Sequence, residues 1–263
     1  MSDLPAILVT SVVSVGDMIG YKLAEIGIRM VANVAPKFDA FQLEQALKYL
    51  EPRPKVVIVG SGVPDDEANE AKQVFEKRPK DLSDCVFVRP SASLLEQSGL
   101  EGVFEYIKGQ VKDVKAYEMS AQRWIQINPS APSAVMLGAN REMGRRLISA
   151  IASRVTTLAF LERDGFMNEA LLKLLQCMRP NPRVMLCGPA YDDMFDKLEA
   201  SFKQFHEHSS GCGENEPLVF VSVEWAVFFK DGGGVDKESG VENVIQYLHA
   251  ELDEKLHLNT RLG

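Results

Sequence analysis

The sequence predicts an α/β fold in which Rossmann-like parallel sheets with flanking helices are internally duplicated, as two similar four-stranded units. Three observations predict it. Short apolar runs alternate with helical patterns along the chain, and the second half repeats the first. The strand-like runs, such as VVIV (56–59), are apolar throughout, which is typical of parallel strands buried on both faces. Alternating strands and helices imply right-handed crossovers between parallel strands.

The repeat is visible as blocks of the first half that recur, in the same order, in the second half. PRPKVVIVG (52–60) aligns with PNPRVMLCG (180–188), and the same offset of 128 places AILVT (6–10) on AVMLG (134–138). Two later blocks match at larger offsets: CVFV (85–88) with LVFV (218–221), and VFEYIKGQV (103–111) with VIQYLHAEL (244–252). The offset grows because two insertions rich in glycine and polar residues interrupt the second copy, as surface loops do. We infer a doubled domain.

The apolar runs predict four strands in each copy. In the first copy they indicate strands near 6–10, 29–34, 55–60 and 85–89, and helices near 16–27, 39–50, 66–77 and 100–112. In the second copy they indicate strands near 134–138, 156–161, 183–187 and 218–223. The third helix has an apolar stripe of Ala68, Ala71, Val74 and Phe75, and its counterpart has Leu198, Phe202 and Phe205 at helical spacing.

These elements predict a first α/β unit at 1–113, a linker at 114–133 and a second α/β unit at 134–263. The linker ends in INPSAPS (127–133), whose proline and serine content is typical of a junction. The two units could also pack as one continuous domain. The pattern at 117–127 leaves an extra helix and an edge strand both open.

Composition favours a cytoplasmic protein that binds neither nucleic acid nor membranes. A net charge of −8 argues against nucleic acid and anionic membranes as partners, because both require a basic face. The sequence lacks a run of eighteen apolar residues, and Asp3 stands where a secretory signal would carry Lys or Arg. Four scattered cysteines without CxxC spacing suit reduced thiols. A homo-oligomer is left open.

Ligands of open parallel sheets bind beyond the carboxyl ends of the strands, where helix N-termini present free amide groups. The candidate ligand-binding residues are therefore those at the carboxyl ends of the predicted strands and in the loops and helix starts that follow. They are Thr10, Ser14, Gly60, Ser61 and Arg89 in the first copy, and Gly138, Asn140, Arg141, Gly144, Gly188 and Asp193 in the second.

The stretch VMLGANREMGRR (135–146) has the outline of a phosphate-binding turn. It resembles the G-A-T-G-x-x-G-R turn of NmrA-like and other extended short-chain dehydrogenase relatives, and the likeness covers residues 134–163. The resemblance implies NAD(P) as a cofactor. It departs at Arg141, where the family has its central glycine, so the arginine either crowds a pyrophosphate or contacts a phosphate itself. In the first copy, Ser11 and Val12 stand where glycines would be needed.

Three interpretations of this loop stay open, and the missing central glycine decides how they rank. A strand-to-helix turn, with glycine for close packing, is favoured over a phosphate or nucleotide site of altered geometry. An ordinary dinucleotide loop is the least favoured.

The dehydrogenase relatives transfer a proton with a tyrosine and a lysine four residues later. None of the six tyrosines here has a lysine at that spacing, so the ordinary reductase chemistry lacks its residues. Three functions remain open. The first is a small-molecule-binding protein or enzyme with its cleft at the strand carboxyl ends. The others are a non-catalytic structural or assembly subunit, and an NAD(P)-dependent oxidoreductase with an atypical site.

Three further groups carry reactive side chains but favour structural roles. Asp65–Asp66 and Asp192–Asp193 each stand at a predicted helix start, which favours N-capping over a ligand site. Cys187 ends an apolar strand with no histidine nearby in sequence, which favours a buried thiol over a nucleophile. His206, His208 and Cys212 lack a fourth ligand in sequence, so we expect a solvated helix end and no metal site.

Overall fold

The structure is a computed structural model that describes residues 4–114, 131–164, 166–208, 218–230 and 237–256. The chain divides into two compact units, Met1–Gln122 with Cys177–Pro180, and Arg123–Gln176 with Asn181–Gly263. Each unit contains a four-stranded parallel sheet with flanking helices, so the predicted α/β fold with two similar units is confirmed. The undecided segment 117–127 lies outside the described residues, as does most of the predicted linker.

The first unit alternates strands and helices throughout. Its elements are β1 (Leu4–Val9), α1 (Val13–Glu25), β2 (Ile28–Val34), α2 (Ala40–Tyr49), β3 (Val56–Val59), α3 (Asp65–Glu76), β4 (Val86–Val88) and α4 (Ala92–Val111). A short 3₁₀ turn, Lys80–Leu82, precedes β4. The sheet order is β2-β1-β3-β4.

The second unit follows the same plan. Its elements are β5 (Ser133–Gly138), α5 (Arg141–Ile151), β6 (Thr156–Glu162), α6 (Asn168–Cys177), β7 (Val184–Cys187), a 3₁₀ turn (Pro189–Met194), α7 (Phe195–His208), β8 (Val219–Ser222), α8 (Trp225–Phe228) and α9 (Lys237–Lys255). The sheet order β6-β5-β7-β8 repeats that of the first unit. Even the register shift recurs, since it falls between Ala6 and Ile7 in one sheet and between Ala134 and Val135 in the other.

Each sheet is buried on both faces. In the first unit, one face of β1 packs with Leu23 of α1 and with Phe104 and Ile107 of α4. In the second unit, the matching face packs with Leu147 of α5 and Leu248 of α9. Buried side chains of α2 and α6, such as Leu43 and Leu171, contribute further apolar core. Burial on both faces explains why β1, β3 and β7 are apolar along their whole length.

The fourth helix of the first unit differs from its prediction. It begins at Ala92, eight residues before the predicted start, because the Ser91 hydroxyl caps it by accepting a hydrogen bond from the Leu94 amide at 3.1 Å. Gly99, at a φ of 62°, then interrupts the helix, so the apolar pattern reads clearly only beyond it. The second unit has two helices, α8 and α9, at this point of the chain.

An ion pair joins the turn after α5 to α9 and predicts how stability depends on pH. Arg154 donates to the two carboxylate oxygens of Asp253 at 2.6 and 2.8 Å, and these hydrogen bonds lower the pKa of Asp253. The Asp253 carboxylate therefore binds a proton more readily in the unfolded chain than in the folded one. The ion pair consequently stabilises the fold at pH values above the ordinary carboxylate pKa. That contribution is lost as the pH falls through the lowered pKa.

We expect Asp253→Asn to reduce the free energy of unfolding by about 0.5–1 kcal/mol near neutral pH. The difference from the wild type should vanish in strong acid, where both chains carry a neutral side chain at this position. Urea unfolding followed by circular dichroism across the acid range measures it. Glu254→Gln, at the exposed neighbouring position, is the control. If the loss of unfolding free energy in Asp253→Asn stays constant down to the lowest pH, the ion pair is not the cause of that loss.

Candidate functional site

The central strands of each sheet mark the point where a ligand crevice is expected. In the observed order, β1 is followed in the chain by β2 on one side of it, and β3 is followed by β4 on the opposite side. The same holds for β5 and β6 and for β7 and β8 in the second sheet. Doubly wound sheets bind ligands at the carboxyl ends of the strands where this direction changes. Thr10 and Gly60 lie at this point in the first unit, and Gly138 and Gly188 in the second.

Gly138 and Gly188 lie close together. The Gly188 amide donates to the Leu137 carbonyl at 2.8 Å. A Cβ atom on Gly188 would stand 3.2 Å from that carbonyl oxygen and 3.6 Å from the Gly138 Cα. Glycine therefore lets the two strand ends approach each other and keeps the space above them open.

A cavity of about 300 Å³ lies at this edge of the second sheet. Four of the predicted residues line it: Gly138, Asn140, Gly144 and Gly188. The remaining described lining is largely apolar and comes from β5, β6 and β7 and the residues that follow them, the first half of α5, Val223, α8 and α9. It includes Met143, Leu147, Phe160, Cys187, Val223, Trp225, Phe228, Val244 and Leu248.

Sequence reasoning missed the aromatic residues of this lining. Phe160 lies inside β6, where an apolar strand hides its role. Trp225 and Phe228 belong to α8, a four-residue helix that the periodicity did not reveal. One signal could have found them. The aromatic-rich run EWAVFF (224–229) directly follows a predicted strand, which places it at the ligand-binding edge of the sheet.

The first turn of α5 already has partners for two of its amides. The Arg141 amide donates to Glu162 Oε1 at 2.9 Å, and the Met143 amide donates to Asn140 Oδ1 at 2.9 Å. Both groups would otherwise be free to bind a phosphate. Glu162 also puts a negative charge at the positive end of the helix. An incoming pyrophosphate would have to displace this carboxylate or bind beside it, so these residues fit a dinucleotide poorly.

The two glycines of the α5 loop accommodate the ring of Phe160. A Cβ on Gly138 would lie 2.9 Å from Phe160 Cζ, and one on Gly144 would overlap the same ring more closely. Phe160 pairs with Met136 in the sheet, just as Asn33 pairs with Leu8 in the first unit. The glycine pattern that resembles a nucleotide loop therefore has a packing reason.

In the first unit, the corresponding place is filled by a polar network. Asn33 lies against Gly16, which aligns with Gly144. The Thr10 hydroxyl lies 2.9 Å from Asn33 Oδ1 and 3.1 Å from the Val12 carbonyl, and Asn33 Nδ2 donates to the Val13 carbonyl at 3.4 Å. These contacts tie the loop after β1 to β2 and satisfy the Thr10 hydroxyl.

The other predicted residues of the first unit lie around this network. Ser14 is exposed in the first turn of α1, whereas Gly60 and Ser61 are half-buried after β3. Arg89 follows β4 and pairs with Asp65 at 2.5 Å. The structure thus places all five residues at the carboxyl edge of the sheet.

Asp193 and Arg141, the last two candidates, lie outside the described cavity lining. Asp193 accepts two hydrogen bonds from Arg163, at 2.8 and 3.1 Å, which connects the 3₁₀ turn after β7 to the end of β6. Arg141 is half-buried as the first residue of α5.

The acidic pairs stand at helix starts as predicted, although the aspartates of α3 do not act as its N-cap. In α3 the N-cap is Pro64, without a side-chain hydrogen bond, and Asp65 and Asp66 stand in the first turn. There they meet the positive end of the helix, and Asp65 also pairs with Arg89. In the second unit, Asp192 Oδ1 accepts from the neighbouring Asp193 amide at 2.8 Å.

Cys187 is buried in the lining of the cavity, and desolvation raises the pKa of its thiol. The group is therefore a protonated, apolar contact and a poor nucleophile. His206 Nε2 lies 2.8 Å from the Pro182 carbonyl, and burial lowers the pKa of this imidazole. The His208 side chain and Cys212 lie outside the described residues, so the predicted absence of metal there stays a prediction.

The described ranges contain no cluster of three or more side chains that could hold a metal ion, and none of their helices has the length and apolar character needed to cross a membrane. No protein-family model, curated protein or solved structure matches this chain.

Proposed function

We propose that the second unit binds a small, mainly apolar molecule in the cavity at the carboxyl ends of β5 and β7. The observation that carries this proposal is the cavity itself. It measures about 300 Å³ and lies at the position where doubly wound sheets hold their ligands. This volume is at the lower end of the range found for small-molecule sites.

The chemistry of the lining favours binding over catalysis. Among the described lining residues, only Asn140, Cys187 and Trp225 carry a side-chain amide, thiol or ring N–H that can form hydrogen bonds. The raised pKa of Cys187 keeps its thiol protonated, and Asn140 already accepts a hydrogen bond from α5. These side chains do not form the coupled acid and base that proton-transfer catalysis needs. The site therefore selects its ligand by shape and apolar contact.

A substitution that fills the cavity tests this proposal. Val244 is buried and lines the cavity from α9. We expect Val244→Phe to place a ring in the space and to abolish binding. Val103→Phe is the matched control, because Val103 aligns with Val244 in the repeat and belongs to the first unit.

The measurement is a thermal-shift assay with three neutral probes, cyclohexanol, 1-octanol and 1-naphthol, and with calorimetric titration of those that respond. A probe at about 100 times its Kd should stabilise the unit by about 2.7 kcal/mol and raise Tm by several degrees. Val244→Phe should lose this shift, and Val103→Phe should keep it. If none of the three probes raises the Tm of the wild type, the proposal fails.

A further inference from the structure

We propose that the ligand of the second unit is a neutral, planar molecule of about two fused rings, which packs against Trp225 and Phe228. This inference rests on the proposed binding function and specifies the chemical class of the ligand. Cavity size, the aromatic residues and the distribution of charge support it independently.

The size of the cavity suits two rings. A buried apolar cavity of about 150 Å³ accommodates benzene. The cavity here has about twice that volume, which matches a bicyclic ring system. A dinucleotide is several times larger, so most of it would have to lie outside the cavity.

Aromatic residues line the cavity from its mouth to its interior. Trp225 is 41% exposed and still lines the cavity, so it stands at the mouth, whereas Phe228 (9% exposed) and Phe160 (1%) lie deeper. Phe229 stacks on Trp225, with ring centroids 5.6 Å apart and an interplanar angle of 21°. Phe228 meets both rings edge to face. These contacts hold the indole in place beside the cavity, where it can pack against an aromatic ligand.

The charges around the cavity disfavour an anionic ligand. Its described lining contains no lysine or arginine. Two amides in the first turn of α5 already donate to Glu162 and Asn140, and Glu162 adds a negative charge beside them. A phosphate on the ring would therefore be desolvated near a carboxylate, without a lysine or arginine of the described lining to pair with.

The experiment compares molecules that differ in one property. 1-Naphthol and 1-naphthyl phosphate share a ring system and differ by the phosphate, whereas 1-octanol shares the hydroxyl and lacks the rings. Calorimetric titration of the full chain should show the tightest binding for 1-naphthol. We expect 1-naphthyl phosphate to bind at least tenfold more weakly, and 1-octanol to bind more weakly as well.

Variants then test the role of the indole. Trp225→Ala should weaken 1-naphthol roughly two- to tenfold, as expected for the loss of one aromatic contact. Tyr21→Ala, which removes an 80% exposed ring from α1 of the first unit, should leave the affinity unchanged. Trp225→Leu keeps the site apolar without the ring and serves as the second variant if Trp225→Ala folds poorly.

Each outcome separates this inference from the proposed function. Equal or tighter binding of 1-naphthyl phosphate overturns the inference of a neutral ligand. Tighter binding of 1-octanol, or full affinity of 1-naphthol in both Trp225 variants, overturns the aromatic class and leaves a general apolar site standing. If no probe binds to the wild type, the proposed function fails together with this inference.

Discussion

Gly144→Ala is expected to lower the free energy of unfolding of the second unit by about 1–3 kcal/mol, as overpacking of a core does. The added Cβ would overlap the Phe160 ring, which is 1% exposed and surrounded by core residues. Phe160→Ala alone should cost about 3–5 kcal/mol, because it removes a buried ring and leaves a void. The double variant should cost less than the sum of the two, since the ring that opposes the new methyl group is gone.

Chemical denaturation of the wild type, the two single variants and the double variant, followed by circular dichroism, measures this coupling. Gly109→Ala is the matched control, because a Cβ there meets no atom within 4 Å. In the helix α4 this exchange should leave stability unchanged or raise it slightly. If the costs of Gly144→Ala and Phe160→Ala add without coupling, Gly144 has another role than making room for the ring.

Tyr191→Ala is expected to cost about 3–5 kcal/mol, the range for removing a large aromatic side chain from a core. Tyr191 is fully buried, and its ring meets Phe166 edge to face, with centroids 5.0 Å apart. Its hydroxyl donates to the Leu161 carbonyl at 3.3 Å. The side chain therefore holds the 3₁₀ turn after β7 against the end of β6.

Tyr191→Phe separates the ring from its hydroxyl. It removes one hydrogen bond and should cost only about 0.5–1.5 kcal/mol. Urea unfolding of both variants gives the comparison, and Tyr21→Ala, at an exposed position, should cost less than about 0.5 kcal/mol. A Tyr191→Phe variant as unstable as Tyr191→Ala would show that the buried hydroxyl, and not ring packing, maintains this turn.

The local pattern of apolar residues accounts for the parts of the fold that the sequence predicted correctly. VVIV (56–59) and the other central strands are apolar because they are buried on both faces. Their positions and their parallel pairing can therefore be predicted directly from the sequence. The repeat adds the identical strand order of both sheets. The start of α4 was predicted too late, because Gly99 divides its apolar pattern.

The sequence predicted the site residues that lie next to the strand ends along the chain. Gly138 and Asn140 follow a strand directly, and Gly188 follows the next strand in the sheet, so their shared edge was foreseeable. Glu162 reaches the Arg141 amide across 21 residues of sequence, and no local signal reports such a contact. Phe160 joins the lining only through packing, which the sequence pattern does not encode, whereas the aromatic run EWAVFF (224–229) after a predicted strand was a signal for Trp225.

One register position is occupied by Asn33 in β2 and by Phe160 in β6. This difference affects how many ligand molecules each chain is expected to bind. Two halves of common descent would be expected to keep two equivalent sites. Here amide and hydroxyl groups lie at this position in the first unit, whereas an aromatic ring lies there in the second. A molecule suited to the second is therefore unsuited to the first, and saturation is expected at one ligand per polypeptide. Duplication would then have left one half free to diverge from binding while the other half retained it.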